Sequence, residues 1–302
     1  MAEAALHIIG SVALDSISGP GGKAENVLGG SALYASYAAS FFSGVKLIAC
    51  VGKDFPPAAR KVIDERRIDS SGLETLDGPT FRWSGRYEEA FRTRHTLSLD
   101  LGVFRNFRPA LGGPLPKGTT LFLGNIDPDI QLEVLSQAGG AAFVAADTID
   151  HWIKLKRKAL LEGLRRTHLF FLNNEEAELL TGENNLIKAA RKIREMGPEM
   201  VVIKKGEHGA LLYTDRIVAV MPAFPLERVA DPTGAGDVFA GAMLGYLARE
   251  GRDDETKLKG AMARAAVMSS FVVEEFSVDR LRRLTSGDID ERLAAYRRLT
   301  AF

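Results

Sequence analysis

The sequence predicts an α/β fold: helices cover both faces of a mostly parallel sheet, and a small second set of strands stands apart as a lid. Three observations carry this. From Thr119 onward short apolar runs alternate with amphipathic stretches in a βαβα order, which calls for crossover helices on a parallel sheet. Residues 79–101 show period-two alternation instead, the mark of strands with two different faces. The chain has 302 residues, 46% of them hydrophobic, enough to fill one large core.

Taken in order, Ala5–Val12 is a short apolar run, read as a buried strand that leads through Ala13-Leu14 to the carboxylate of Asp15. Residues 16–28 have a loop-like composition and are assigned, with 79–101, to the lid inserted in a single domain spanning 1–302. Gly29-Gly30-Ser31 opens a helix over about 32–42. Lys46–Val51 is a second buried strand, and Pro56–Arg67 a helix with proline at its start. In the lid, Phe81, Trp83, Gly85 and Tyr87 share one face and Arg82, Ser84 and Arg86 the other. A partner strand over 92–99 pairs with this one across Glu88-Glu89-Ala90. Strands at 121–124, 141–146, 168–172 and 200–203 then alternate with helices at 130–137, 153–165 and within 175–195. Ala210–Tyr213 and Ile217–Val220 read as an antiparallel edge hairpin. Helices over 242–249, 255–271, 279–284 and 289–299 end the chain, and no internal repeat or low-complexity segment interrupts it.

Composition excludes several classes of function. Lys plus Arg and Asp plus Glu are both 39, so no net field draws the chain to nucleic acid or an anionic membrane. The single Cys50 makes no internal disulfide, which fits a reducing compartment. Met1–Gly10 lacks a basic region before an apolar core, and no uninterrupted 18-residue apolar segment occurs, so a cytoplasmic location is expected. Gly21-Gly22-Lys23-Ala24 fails as a phosphate-binding P-loop, having Ile17 at the first glycine position and no hydroxyl after the lysine. Gly234-Ala235-Gly236-Asp237-Val238-Phe239 fails as a dinucleotide fingerprint at Phe239.

The most chemically pointed stretch is Asp231-Pro232-Thr233-Gly234-Ala235-Gly236-Asp237, followed by a helical run from Val238. Its glycines allow a tight turn with bare N–H groups at a helix start, which is an anion site. Asp237 in the first turn stands beside any phosphate held there, placed to take a proton from an attacking hydroxyl. In parallel sheets ligands collect beyond the carboxyl ends of the strands, and those ends carry Asp15, Asn125, Asp147, Asn173, Gly206 and Asp231 to Asp237.

Four motifs in order, Gly29-Gly30, Asn173-Asn174-Glu175-Glu176, Lys204-Lys205-Gly206-Glu207-His208-Gly209 and Asp231 to Asp237, resemble the ribokinase-like (PfkB) carbohydrate kinases over nearly all 302 residues. The resemblance implies a three-layer α/β/α domain with a small β lid. It also implies ATP- and Mg²⁺-dependent transfer of a phosphoryl group to an alcohol of a small sugar-like substrate. Asp237 matches the family's base, and the amides of Gly234, Ala235 and Gly236 its anion hole. Asn173 and Glu176 match the pair that places Mg²⁺ and phosphates, Glu176 through water. Lys204, Gly206, Glu207 and Gly209 match the segment along the ATP phosphates; read alone, Gly206–Gly209 is equally a hairpin turn. The adenine pocket is expected from about 261–273. Asp231 and Thr233 match positions that border a monovalent-cation loop in some relatives.

For the acceptor, Asp15, Gly29, Gly30 and Ser31 match substrate positions, where a carboxylate accepts hydrogen bonds from paired hydroxyls. Asn125 is a further acceptor candidate. Ala13 and Tyr34 replace amides of the ribose-specific pattern, removing hydrogen bonds that ribose would use. Tyr34 has two readings, stacking on a sugar or base and packing in the core. Arg82, Arg86, Arg92 and Arg94 also have two, solvating an outer face and reaching a phosphate; Arg82 is carried as an acceptor contact. A nucleoside and a phosphosugar are rival acceptors, and a catalytically silent nucleotide sensor is the rival from another class. An apolar lid face of Phe81, Trp83 and Tyr87 left uncovered invites a homodimer.

Overall fold

The computed structural model describes residues 5–66, 68–88, 91 and 93–301. Expectations placed on Arg67, Glu89, Ala90 and Arg92, and on the start of the chain at 1–4, fall outside it. The main sheet has nine strands. Its centre is built from β1 (Leu6–Ile9), β4 (Val45–Gly52), β8 (Thr120–Leu123), β9 (Phe143–Asp147), β10 (Leu169–Asn173) and β11 (Met200–Lys204), all parallel. β12 (Ala210–Tyr213) and β13 (Val218–Met221) add the antiparallel edge hairpin, and β5 (Asp69–Leu76) closes the other edge beside β4 in parallel. In spatial order the strands run β13-β12-β11-β10-β9-β8-β1-β4-β5.

Alternate residues of each strand feed different layers, because side chains of a strand leave on opposite faces. Leu6, Ile8, Leu47, Ala49, Phe171 and Val202 pack under α1 (Ser31–Ala39), α8 (Ala235–Glu250) and α9 (Glu255–Val272). Ile9, Ile48, Cys50, Leu121, Leu123 and Ile203 pack under α3 (Pro128–Gln137), α5 (Arg157–Leu164), α6 (Asn174–Thr181) and α7 (Leu186–Glu195). The result is three layers, α/β/α. α2 (Pro57–Asp64), α4 (Asp150–Leu155), α10 (Asp279–Arg282) and α11 (Ser286–Thr300) complete the helices. No helix among the described residues is long and apolar enough to cross a membrane.

A second sheet of four strands runs β3-β2-β6-β7, from β2 (Ala13–Gly19), β3 (Gly22–Gly29), β6 (Arg82–Tyr87) and β7 (Arg94–Asp100). Residues 16–28 are therefore a β-hairpin and not a loop. β3 buries only Leu28 and Gly29 at its end, so no buried alternation marks it; its strand state comes from pairing with β2. β5, absent from the sequence reading, is similarly polar and buries only Leu73. The helix expected over 153–165 is two, broken at Lys156, whose φ of −126° and ψ of 28° leave the helical region.

Candidate functional site

The turn from Asp231 into α8 lies beyond the carboxyl ends of the central strands. Gly234 adopts φ 80°, and a Cβ there would stand 2.6 Å from the ring of Tyr34. The turn therefore rests flat on an aromatic face, which only glycine permits. The Ala235 N–H turns back to the Pro232 carbonyl at 3.2 Å, and the Thr233 N–H donates to Asp231 Oδ1 at 2.9 Å. This braces the turn and leaves the next amides of the first turn of α8 as the donors an anion would meet.

Beside those amides stands a cation. Lys204, at the end of β11, donates from Nζ to Asp147 Oδ2 at 2.6 Å, and a Cβ on Gly236 would lie 3.2 Å from the same nitrogen. Burial alone would lower the lysine's proton affinity, but Asp147, Glu176 and Asp237 together hold it above the ordinary value. Asp237 is pushed up to about 7, chiefly by burial and further by Asp147, with Lys204 and Arg94 pulling the other way. A carboxylate with that affinity is suited to proton transfer near neutral pH.

Asn173 and Glu176 form a capping box at the start of α6. Glu176 N–H donates to Asn173 Oδ1 at 2.8 Å and Asn173 N–H to Glu176 Oε2 at 2.7 Å. The motif thus has a local structural reason, and the cap uses one of the two carboxylate oxygens. Burial raises Glu176 to about 7, with Lys204 opposing. Among the described residues no group of three His, Cys, Asp or Glu is placed to hold a metal unaided. Gly206 (φ 53°) and Gly209 (φ 84°) shape the β11–β12 turn, closed by Lys205 N–H to the Gly209 carbonyl at 2.7 Å; Glu207 is exposed on it.

On the acceptor side Asp15 is buried, and its proton affinity rises to about 7 through burial and the charges of Asp231 and Asp237. Gly29 lies directly against it: a Cβ there would be 1.9 Å from Asp15 Oδ2. Gly30, at φ 101°, packs on the Ser11 carbonyl, where a Cβ would meet the oxygen at 2.4 Å. Ser31 is held in a serine clasp, its N–H donating to Ser11 Oγ at 3.0 Å and its own Oγ accepting from Ser11 N–H at 3.3 Å. Asn125 Oδ1 accepts from Trp152 Nε1 at 2.8 Å, which fixes the amide.

Two expected acceptor residues are placed differently. Tyr34 is 1% exposed, with its ring against Gly234; it is a packing residue under the turn, not an open platform. Arg82 donates to Asn26 Oδ1 at 2.6 Å and to Asp54 Oδ2 at 2.7 Å. Strand alternation places it on the face opposite Trp83 and Tyr87, so it ties the small sheet to the loop after β4.

The face of the small sheet that carries Asp15 looks onto the turn. Register aligns Asp15, Trp83 and Leu99 in one row across β2, β6 and β7, and Tyr87 with Arg94 in another. Tyr87 Oη lies 3.0 Å from Thr233 Oγ1. The Arg94 charge reaches both Asp237 and Asp150, lowering the proton affinity of each, whereas Arg86 is exposed on the other face. Trp83 lies flat over Gly85, where a Cβ would come within 2.2 Å of the indole. Reading the sequence gave Asp147 no role beyond a strand end and missed the Tyr87–Thr233 contact. An aspartate closing the otherwise apolar strand Phe143–Asp147 was the available signal.

Residues 116–281 match the family model described as pfkB family carbohydrate kinase. The chain is 31% identical to the cytidine kinase of Thermococcus kodakarensis over 275 residues, 86% of this chain and 94% of the relative. It is 30% identical to the nucleoside kinase of Methanocaldococcus jannaschii over 250 residues, 80% of this chain and 79% of that one. In fold it resembles the Burkholderia thailandensis nucleoside kinase in complex with inosine, with a TM-score of 0.81 at 20% identity over 96% and 97% of the two chains. It also resembles the ribokinase of Thermotoga maritima, with a TM-score of 0.71 at 19% identity over 97% and 100%. The chain belongs to the pfkB family of carbohydrate kinases and is an ATP-dependent sugar or nucleoside kinase.

Proposed function

We propose that the chain moves the γ-phosphoryl group of ATP to a hydroxyl of a nucleoside, with Asp237 as the base. The observation that carries the chemistry is the Asp237 carboxyl, raised to about 7 in the first turn of α8, within reach of the Lys204 charge and itself felt at Asp15. Asp15 accepts hydrogen bonds from acceptor hydroxyls and Asp237 takes the proton of the attacking one. The first-turn amides of α8 and the Lys204 ammonium offset charge on the phosphoryl group. Asn173 and Glu176 would hold Mg²⁺ through water, and the ion when bound would neutralise phosphate charge. Asp231 Oδ2, buried without a hydrogen-bond partner, supports a monovalent cation beside the turn.

The choice of a nucleoside rests on the cytidine kinase, matched over 94% of its length, and on the small sheet. Trp83, flat on Gly85, and Leu99 extend the row that starts at Asp15, offering an apolar roof to a base attached to the sugar. The small sheet then acts as a lid that excludes water competing with the acceptor. Leu97, 57% exposed on the lid's edge strand, supports pairing of two copies through the lid. A cytoplasmic location, where ATP is supplied, goes with this reading.

Asp237→Asn tests it. ATP binding should persist while turnover falls on the order of 10² to 10⁴, followed by mass spectrometry of products from a pooled nucleoside and sugar mixture. Near-normal turnover overturns the base; phosphorylated sugars without nucleoside products overturn the acceptor.

A further inference from the structure

Asp147 is locked from three directions. Its Oδ1 accepts from the Thr148 N–H at 2.8 Å, its Oδ2 from Lys204 Nζ at 2.6 Å, and its carbonyl from Gln131 Nε2 at 3.1 Å. Gln131 is itself buried and also donates to the Gly124 carbonyl at 3.1 Å, so the ends of β8 and β9 are tied together under the site. Asp147 is on β9 and Lys204 on β11, with β10 between them. Neighbouring strands lie about 4.8 Å apart, so the lysine side chain arches over the end of β10, where Asn173 caps α6. It ends beside Gly236 in the first turn of α8.

The ammonium therefore sits where two helix N-termini meet, a place whose backbone charge favours an anion. Left untethered it would be drawn away, either to the solvent or to the carboxylate of Asp237. The side chains of Asp147 and Lys204 are 4% and 17% exposed, and a buried ion pair of this kind is weak support for stability, since desolvation consumes most of the attraction. What the pair achieves is position.

We infer that Asp147 is a positioning residue for phosphoryl transfer: it anchors Lys204 beside Gly236 as a fixed cation for the migrating phosphoryl group and keeps it from pairing with Asp237. The inference rests on the kinase reading but not on the identity of the acceptor. All measurements are made with the acceptor that the wild type turns over fastest, so a wrong acceptor assignment leaves this test intact, and failure here leaves that assignment standing.

The test is a double-mutant cycle with Asp147→Asn, Lys204→Met and the pair combined, reading kcat, KM for the acceptor, and ADP affinity by calorimetry. Asp147→Asn should lower kcat by about 10²-fold, the effect of misplacing a catalytic group by about 1 Å. ADP affinity and acceptor KM should stay near wild type, because neither is formed by the migrating group. The double variant should be no slower than Lys204→Met alone, since the tether has no further work once the lysine is gone. Independent, multiplicative losses would overturn the inference. So would an Asp147→Asn enzyme with wild-type kcat, one that no longer binds ADP, or one whose loss is recovered by raising Mg²⁺, which would place Asp147 on the metal.

Discussion

Gly29→Ala is the most direct probe of the acceptor side, because the structure sets the size of the disturbance. The new Cβ would stand 1.9 Å from Oδ2 and 2.4 Å from Cγ of Asp15, where ordinary contacts begin at 3.4 Å. The carboxylate must retreat by about 1.5 Å, more than the roughly 1 Å displacement that costs about 10²-fold in rate. The backbone at Gly29 is not left-handed, so alanine meets no φ penalty and the fold should survive. We expect kcat/KM for the acceptor to fall by about 10² or more, with KM for ATP changed by less than about twofold. The assay is coupled ADP release with varied acceptor at saturating ATP. Gly163→Ala, in α5 with its nearest neighbour at 4.0 Å, serves as the control. If Gly29→Ala keeps kcat/KM within about threefold of wild type, Asp15 does not hold the acceptor in the way its packing on Gly29 implies.

Two further outcomes follow from the same site. Because Asp237 must be ionised to act and is raised to about 7, kcat/KM should decline as pH falls below about 7; a profile flat down to pH 5 would contradict its role. Stability should move the other way: Asp15 and Asp237 bind protons in the folded chain from their ordinary 3.8 up to about 7 while the unfolded chain releases them. Their contribution is full below that window and is lost as pH rises through it, so a Tm higher at pH 8 than at pH 5.5 would count against both assignments. Tyr87→Phe removes only the hydroxyl that meets Thr233, keeping the ring against Phe91. One hydrogen bond of about 1 kcal/mol predicts an acceptor KM about fivefold higher and a Tm lower by about 2 °C, and steady-state kinetics indistinguishable from wild type would dismiss the contact as incidental.

Much of this site could be read from one sequence because the chain concentrates its chemistry at strand ends and helix starts. Asp15 follows the first apolar run, and Asp237 follows a glycine turn that opens a helix; both are local patterns. What stayed hidden depends on contacts between distant segments. Lys204 and Asp147 are 57 residues apart, and nothing in either neighbourhood names the other. Arg82 was misplaced because alternation assigns residues to two faces without saying which face looks at the site. Tyr34 was ambiguous for a related reason, since only the approach of Gly234 decides whether its ring is covered. The β2–β3 hairpin and β5 escaped notice because polar edge strands owe their state to a neighbour's hydrogen bonds and not to their own hydrophobic pattern.

The two carboxylates at the heart of the candidate site ride on different parts of the fold, Asp15 on a strand of the small sheet and Asp237 on helix α8. Even so, the negative charge of Asp237 is felt at Asp15 and raises its proton affinity. Bringing the small sheet down on the turn sets like charges against each other, and on the proposed reading an acceptor whose hydroxyls donate to both relieves that opposition. On that reading, the cleft then favours a cargo that donates a hydrogen bond to each carboxylate. A water molecule, with two protons and no scaffold to span the gap, is a poor key to such a lock.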